Sequence, residues 1–86
     1  MKDGLKIDDL GNKRWYKNGL IHREGGPAII HRDGWECWSR NGQVHREDGP
    51  AIEWPGHEKA WWYNGQKIDC SSQKEFERLL KLKAFW

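Results

Sequence analysis

The strongest constraint on this chain is a period. Trp15-Tyr16-Lys17-Asn18-Gly19-Leu20-Ile21-His22-Arg23-Glu24-Gly25-Gly26-Pro27-Ala28-Ile29 returns 23 residues later as Trp38-Ser39-Arg40-Asn41-Gly42-Gln43-Val44-His45-Arg46-Glu47-Asp48-Gly49-Pro50-Ala51-Ile52. A third copy opens with Trp61-Trp62-Tyr63-Asn64-Gly65-Gln66-Lys67 and then departs, with Ile68 where the others have His. A fixed period of this size marks an array of supersecondary units, each too small to bury its own apolar side, so that neighbours must stack.

Turn chemistry defines each unit. Asn18-Gly19, Asn41-Gly42 and Asn64-Gly65 suit two-residue hairpin turns of type I′, which need positive φ at both central positions. Residues 4–14 read as a worn half-repeat, because one period back from Ala28, Ile30 and Gly34 lie Leu5, Ile7 and Gly11. The segments 4–8, 13–17, 20–22, 28–31, 35–40, 51–54 and 57–63 are predicted strands. The expected fold is mainly β: an antiparallel meander of stacked 23-residue hairpin repeats over 4–69, with about six or seven short strands. After Asp69 the period changes. Ser72-Gln73-Lys74-Glu75 reads as a capping box, and Phe76, Leu79, Leu80, Leu82 and Trp86 recur at helical spacing. This predicts a C-terminal capping α-helix from about 73 to 85 within 72–86, laid over the open end of the sheet.

Eighty-six residues fit a single domain with a thin core. Hydrophobic content is only 36% yet there are seven Trp, so a few large rings carry the packing. A net charge of +2 excludes a bulk electrostatic argument for nucleic acid or membrane. Cys37 and Cys70 share no metal spacing and read as free thiols of a reducing compartment. Met1–Asp9 has no apolar run of signal-peptide or membrane-spanning length, so a cytoplasmic location is expected.

Alternation along the strands separates two faces. Trp15, Trp38 and Trp61 are equivalent and are expected to stack as a packing ladder. Ile29 with Ile52 and Ile21 with Val44 give two more. Opposite the tryptophans lie Arg14, Cys37 and Ala60, then Tyr16, Ser39 and Trp62. That variable face is the expected place for function.

The pattern Trp-x-x-Asn-Gly-x-x-His is carried by Trp15, Asn18, Gly19 and His22, by Trp38, Asn41, Gly42 and His45, and in part by Trp61, Asn64 and Gly65. It resembles the MORN (membrane occupation and recognition nexus) repeat over residues 12–69. That family continues past its His with Gly-x-Gly. This chain has Arg23-Glu24-Gly25-Gly26-Pro27-Ala28 and Arg46-Glu47-Asp48-Gly49-Pro50-Ala51, similar to variant His-Arg-x-Asp-Gly-Pro-Ala repeats of bacteriophages and large DNA viruses. The resemblance implies a scaffold or interaction surface, sometimes lipid-binding, with no shared chemistry.

No catalytic constellation converges in the sequence, so no enzymatic activity and no cofactor is expected. Equivalent His residues two strands apart, roughly 9–10 Å, cannot share one metal ion. His22 and His45 are therefore expected to tie the hairpin connections together. Arg23, Arg46 and the less regular His31-Arg32 place cations at the turns, each Arg answered by Glu24, Glu47 or Asp48 close by. Trp35, Trp54 and Trp62 lack apolar equivalents in every unit, as hot-spot aromatics do. With Arg40 and Tyr63 they make up the candidate partner-binding residues, together with Arg23, Arg46 and the helix stripe Lys74, Arg78 and Lys81. The first reading is a phage- or virus-type accessory module that binds a host protein. Alternatives are a nucleotide or nucleic-acid binder using Arg and Trp, a phospholipid-binding scaffold by family analogy, and a homodimer formed through the sheet edge. No membrane association is expected.

Overall fold

In the computed structural model, residues 3–56 and 58–82 are described. Strand β1 is Gly4–Ile7, β2 Lys13–Lys17, β3 Leu20–Ile21, β4 Ile29–Ile30 and β5 Glu36–Cys37. β6 is Ser39–Arg40, β7 Gln43–Val44, β8 Ile52–Glu53, β9 Lys59–Tyr63 and β10 Gln66–Ile68. Helix α1, Gln73–Leu82, closes the described chain. The protein is mainly β, an antiparallel sheet with one C-terminal helix. Met1, Lys2, the start of the third Trp strand at His57, and the expected helix end at 83–86 with Trp86 lie outside the described residues.

The main sheet runs β1-β2-β4-β5-β8-β9-β10, with β3 also on β2, while β6 pairs with β7. β2 shows how each Trp strand works. β1 pairs along it, with Leu5 opposite Trp15. Its other edge is shared, Tyr16 and Lys17 facing β3 and Lys13 and Arg14 facing β4. The splitting of the middle Trp strand into β5 and β6 at Trp38, together with β7 and β10 after the second and third Asn-Gly turns, gives more strands than expected. Trp38 stays in the ladder even so: its N–H donates to Ala51 O at 2.7 Å and its carbonyl accepts from His45 N–H at 3.1 Å.

All three Asn-Gly turns adopt the expected conformation. Asn18, Asn41 and Asn64 have φ of 54, 53 and 50°, and the glycines after them 79, 82 and 81°. That double positive φ matches the right-handed twist of the flanking strands. Gly11 and Gly34, one period apart, are left-handed too, at 90 and 100°, in keeping with a half-repeat before residue 14.

Burial departs from the expected division of faces. One row crosses the sheet as Arg14–Ile29–Cys37–Ile52–Ala60, so the non-repeating residues share a face with the isoleucine ladder. Cys37, Ser39 and Ala60 on that face are buried, whereas Trp15 and Trp38 are only half-buried. The small side chains at 37, 39 and 60 are thus interior, while Arg14, Tyr16 and Trp62 of the same set stay partly exposed. Nor do the equivalent tryptophans stack ring on ring among the described residues. Between successive Trp strands lies a fully buried alanine: Ala28 O accepts from Trp15 N–H and Ala51 O from Trp38 N–H.

The helix docks on the third Trp strand. Trp61 and Ile68, opposite each other across β9 and β10, form a buried cluster with Phe76, and Tyr63, Cys70, Leu79 and Leu80 pack around it. Trp61 Nε1 donates to Gln73 Oε1 at 2.7 Å, and Gln73 Nε2 donates to Glu47 O at 3.0 Å. Ser72 Oγ accepts from Glu75 N–H as expected, but the Glu75 carboxylate reaches one residue further back, to Ser71 N–H and Oγ. Leu82, expected on the apolar side, is exposed, one position past the stripe that faces the sheet. Among the described residues no helix is long and apolar enough to cross a membrane.

Phe76 is the largest side chain wholly removed from solvent. Phe76→Ala should destabilise the fold by about 3–5 kcal/mol, read from the midpoint of urea unfolding followed by tryptophan fluorescence.

Candidate functional site

The His-Arg-Glu stretch after each hairpin builds the most regular side-chain arrangement. His22 is buried, and its Nδ1 accepts the backbone N–H of Asn41, in the next repeat, at 3.0 Å. His45 does the same for Asn64, also at 3.0 Å. With Nδ1 an acceptor, the proton of the neutral ring sits on Nε2, which donates to Glu24 Oε2 at 3.2 Å and, in the next unit, to Glu47 Oε2 at 3.1 Å. The expected role of these histidines as ties between hairpin connections is the one found. The glutamates, however, answer the histidines rather than the arginines.

Those ties continue along the backbone. Gly42 N–H donates to Ile21 O and Gly65 N–H to Val44 O, while Arg23 N–H bonds to Ser39 O and Arg46 N–H to Trp62 O. The tie ends at both termini of the series, and in different ways. Asn18 has no preceding His, and the Asp3 carboxylate accepts its N–H at 2.6 Å. Ile68, in the His position, is buried in the helix-covered cluster instead.

Each Arg lies flat on the Trp of its own unit. The Arg23 guanidinium carbon is 3.9 Å from the Trp15 ring centroid and that of Arg46 is 3.8 Å from Trp38, a cation–π contact that also screens the indole from water. Nη1 of each donates to a proline carbonyl at 3.1 Å, Pro27 for Arg23 and Pro50 for Arg46. The buried glycines Gly26 and Gly49 make the room. A Cβ on Gly49 would stand 2.6 Å from Arg46 Cζ, and one on Gly26 would stand 3.0 Å from Arg23 Cζ. The surroundings of the two cations then differ. Arg46 pairs with Asp48 at 2.9 Å and approaches Glu53 at 3.8 Å, whereas the first unit has Gly25 and Ile30 at those positions. A shallow groove of about 280 Å³ joins Arg23 and Gly25 to Trp38, Arg40, Arg46 and Asp48.

The remaining candidates fall into separate places. Trp35 stacks on His31 with ring centroids 4.9 Å apart. Trp54 is 38% exposed, and Pro55 beside it comes against the turn at Gly34, so Trp35 and Trp54 flank neighbouring turns at the sheet end opposite the Asn-Gly hairpins. Trp62 and Tyr63 point to opposite faces of β9. Trp62 is half-buried with its indole N–H closed off from solvent and without a hydrogen-bond partner, which is less exposure than expected, and Tyr63 tilts against His45 at 4.8 Å. Arg40 donates to Asn64 Oδ1 at 3.2 Å. Lys74, Arg78 and Lys81 line a distinct open surface on α1 with Ser71, Ser72, Glu75 and Glu77. At the outer edge of the sheet, β1 presents exposed Leu5 and Ile7, the strand that edge pairing with a second copy would use. Among the described residues no group of three or more His, Cys, Asp or Glu could hold a metal ion.

Several residues here were not singled out from sequence. Asp3 and Gln73 act on partners distant in the chain, Asn18 for the first and Trp61 and Glu47 for the second, whereas Gly26, Gly49 and His31 meet partners only three or four residues away, Arg23, Arg46 and Trp35. For the glycines a signal was present, since Gly-Pro-Ala follows both His-Arg pairs. Asp8 was another omission. Its carboxylate accepts from the Asn12 side chain, from the backbone N–H groups of Asn12 and Leu10, and from Arg14. These contacts, the Asn12 side chain foremost, hold Asp8 well below the usual carboxylate range. The Cys37 thiol is pushed up to about 11 by burial, which leaves it a packing residue rather than a nucleophile.

Burial, reinforced by the Arg40 charge and opposed by Glu47, lowers the His45 pKa from 6.5. The unfolded chain then takes up the proton more readily than the folded one, so stability should fall as pH drops below about 6.5 and stop falling once the folded-state pKa is passed. Urea unfolding between pH 7.5 and 5 measures this, and the part of the slope that disappears in His45→Gln belongs to His45. Gly49→Ala should lift Arg46 off Trp38, at a loss of about 1 kcal/mol, with a change in tryptophan emission and a smaller effect for Gly26→Ala. Comparison with protein-family models, with curated proteins and with solved structures finds no match for this chain.

Proposed function

We propose that the chain is a non-enzymatic binding module of MORN-like repeats whose turn-end aromatics dock onto a protein partner. In this reading the sheet is a meander of stacked 23-residue hairpin units. Asp3 and the half-repeat seal its first end, and helix α1 seals its last. The support for stacking is the recurrence one period apart of the His–Asn bond, the Arg–Trp contact and the Trp–Ala backbone bond. The support for a cap is that Ile68 and Phe76 put apolar burial where the earlier units put His and Arg.

The observation that carries the binding reading is Trp54. It is a large ring 38% exposed, held on a short turn whose Trp54 N–H bonds to Glu58 O at 3.0 Å. A rigid aromatic in a tight turn loses little side-chain freedom on binding, which is how interface anchors gain affinity. The ring nitrogens of His22 and His45 in contrast are both engaged within the molecule. By the resemblance, the partner is a host protein and the chain a phage- or virus-type accessory protein acting in the host cytoplasm.

The test is capture from host lysate on the immobilised chain, with mass spectrometry of what is retained. One specific protein should be enriched and then lost at least tenfold with Trp54→Ala, an exposed substitution that leaves the thermal unfolding midpoint nearly unchanged. Equal retention by the wild type and Trp54→Ala would reject Trp54 as the anchor.

A further inference from the structure

We propose that Arg23 is a receptor for a carboxylate of the partner, an Asp or Glu side chain seated in the groove between the first two units. The proposal rests on reading the chain as a protein-binding module and adds the chemistry of what is bound. The second unit supplies the geometry. There the guanidinium stacked on Trp38 gives Nη1 to the Pro50 carbonyl and its Nε edge to Asp48 at 2.9 Å, with Glu53 at 3.8 Å. In the first unit Arg23 is held in the same way, flat on Trp15 with Nη1 on Pro27 O. Gly25 and Ile30, however, replace both carboxylates, and among the described residues Arg23 has no ion pair. Arg23 and Gly25 both line the groove.

The fork is thus pre-ordered on two sides and unanswered on the third. A planar guanidinium so held loses little freedom when it pairs with a carboxylate, and the geometry it offers is that of the Arg46–Asp48 pair. The lining also selects among anions. Arg23, Arg40 and Arg46 are matched in number by Glu24, Glu47 and Asp48, so the groove has no net positive field with which to hold a polyphosphate or a nucleic-acid backbone. A single carboxylate on an acidic peptide segment suits it.

The experiment follows side-chain Nε–H signals of the ¹⁵N-labelled chain by nuclear magnetic resonance. The probes are a blocked, otherwise uncharged peptide carrying one glutamate, inorganic phosphate, and sodium chloride at matched ionic strength. The expected result is a saturable shift of the Arg23 signal with the glutamate peptide, larger than that of Arg46 and larger than with phosphate or salt. Ile30→Glu, which puts a carboxylate where the second unit has Glu53, should reduce the response by supplying the carboxylate internally. No saturable shift at Arg23, an equal shift at Arg46, an equal effect of phosphate, or an undiminished response in a folded Ile30→Glu chain would each overturn the proposal. Capture of a host protein that depends on Trp54 would survive such a failure, so the two readings fail separately.

Discussion

The fold depends on a hydrogen bond that crosses from one unit to the next. A buried imidazole, oriented by its own glutamate, presents Nδ1 to the backbone N–H of an Asn 19 residues on, in the pairs His22–Asn41 and His45–Asn64. That N–H opens a type I′ turn, where Asn sits at positive φ. The bond therefore ties one unit's loop to the conformation of the next unit's hairpin. Leaving such a donor unmet inside the structure would cost about 1–3 kcal/mol, a large fraction of what a chain of this size has. Asp3 serves the first Asn, and Ile68, in the His position after the third Asn-Gly turn, is buried in the helix-covered cluster.

Around this tie, alternating large and small residues let a single sheet do without a second layer. The fully buried Ala28 and Ala51 separate the Trp strands, and Arg23 and Arg46 cover the indoles that no helix reaches. At Trp61 the helix takes over, with Gln73 capturing the indole N–H and Phe76 filling the space. The Arg cover is a compact solution for a short chain, since one side chain supplies an aromatic contact, a carbonyl cap and a charge kept at the surface. It also favours glycine at positions 26 and 49, because a Cβ there crowds the guanidinium, more closely at Gly49 than at Gly26.

Local residue chemistry made much of this legible. The Asn-Gly pairs were readable as turns because few other dipeptides tolerate two positive φ values in succession. The β2 limits at Lys13 and Lys17 and the start of α1 at Gln73 fell where turn and capping residues placed them. His22 and His45 could be assigned a structural role by spacing alone. What could not be read was which face is covered. Alternation divides residues into two sets but does not say which set meets the larger neighbours, and here Cys37, Ser39 and Ala60 are buried while Trp15 and Trp38 are half-open. The candidate site was legible only in pieces: Arg23, Arg40 and Arg46 do share a groove, but Trp35 and Trp54 lie at the turns, and Lys74, Arg78 and Lys81 lie on the helix.

By itself, the sequence determined the repeat length, the turn types, the antiparallel β character and the switch to a helix after Asp69. Each of these is set by backbone preferences acting over a few residues. Only the tertiary structure decided that Glu24 and Glu47 serve histidines rather than arginines, that Arg46 is paired and Arg23 is not, and that Trp54 stands exposed. Those outcomes depend on distances between groups that the sheet brings together, and identical local motifs acquire different partners according to what the tertiary structure places beside them.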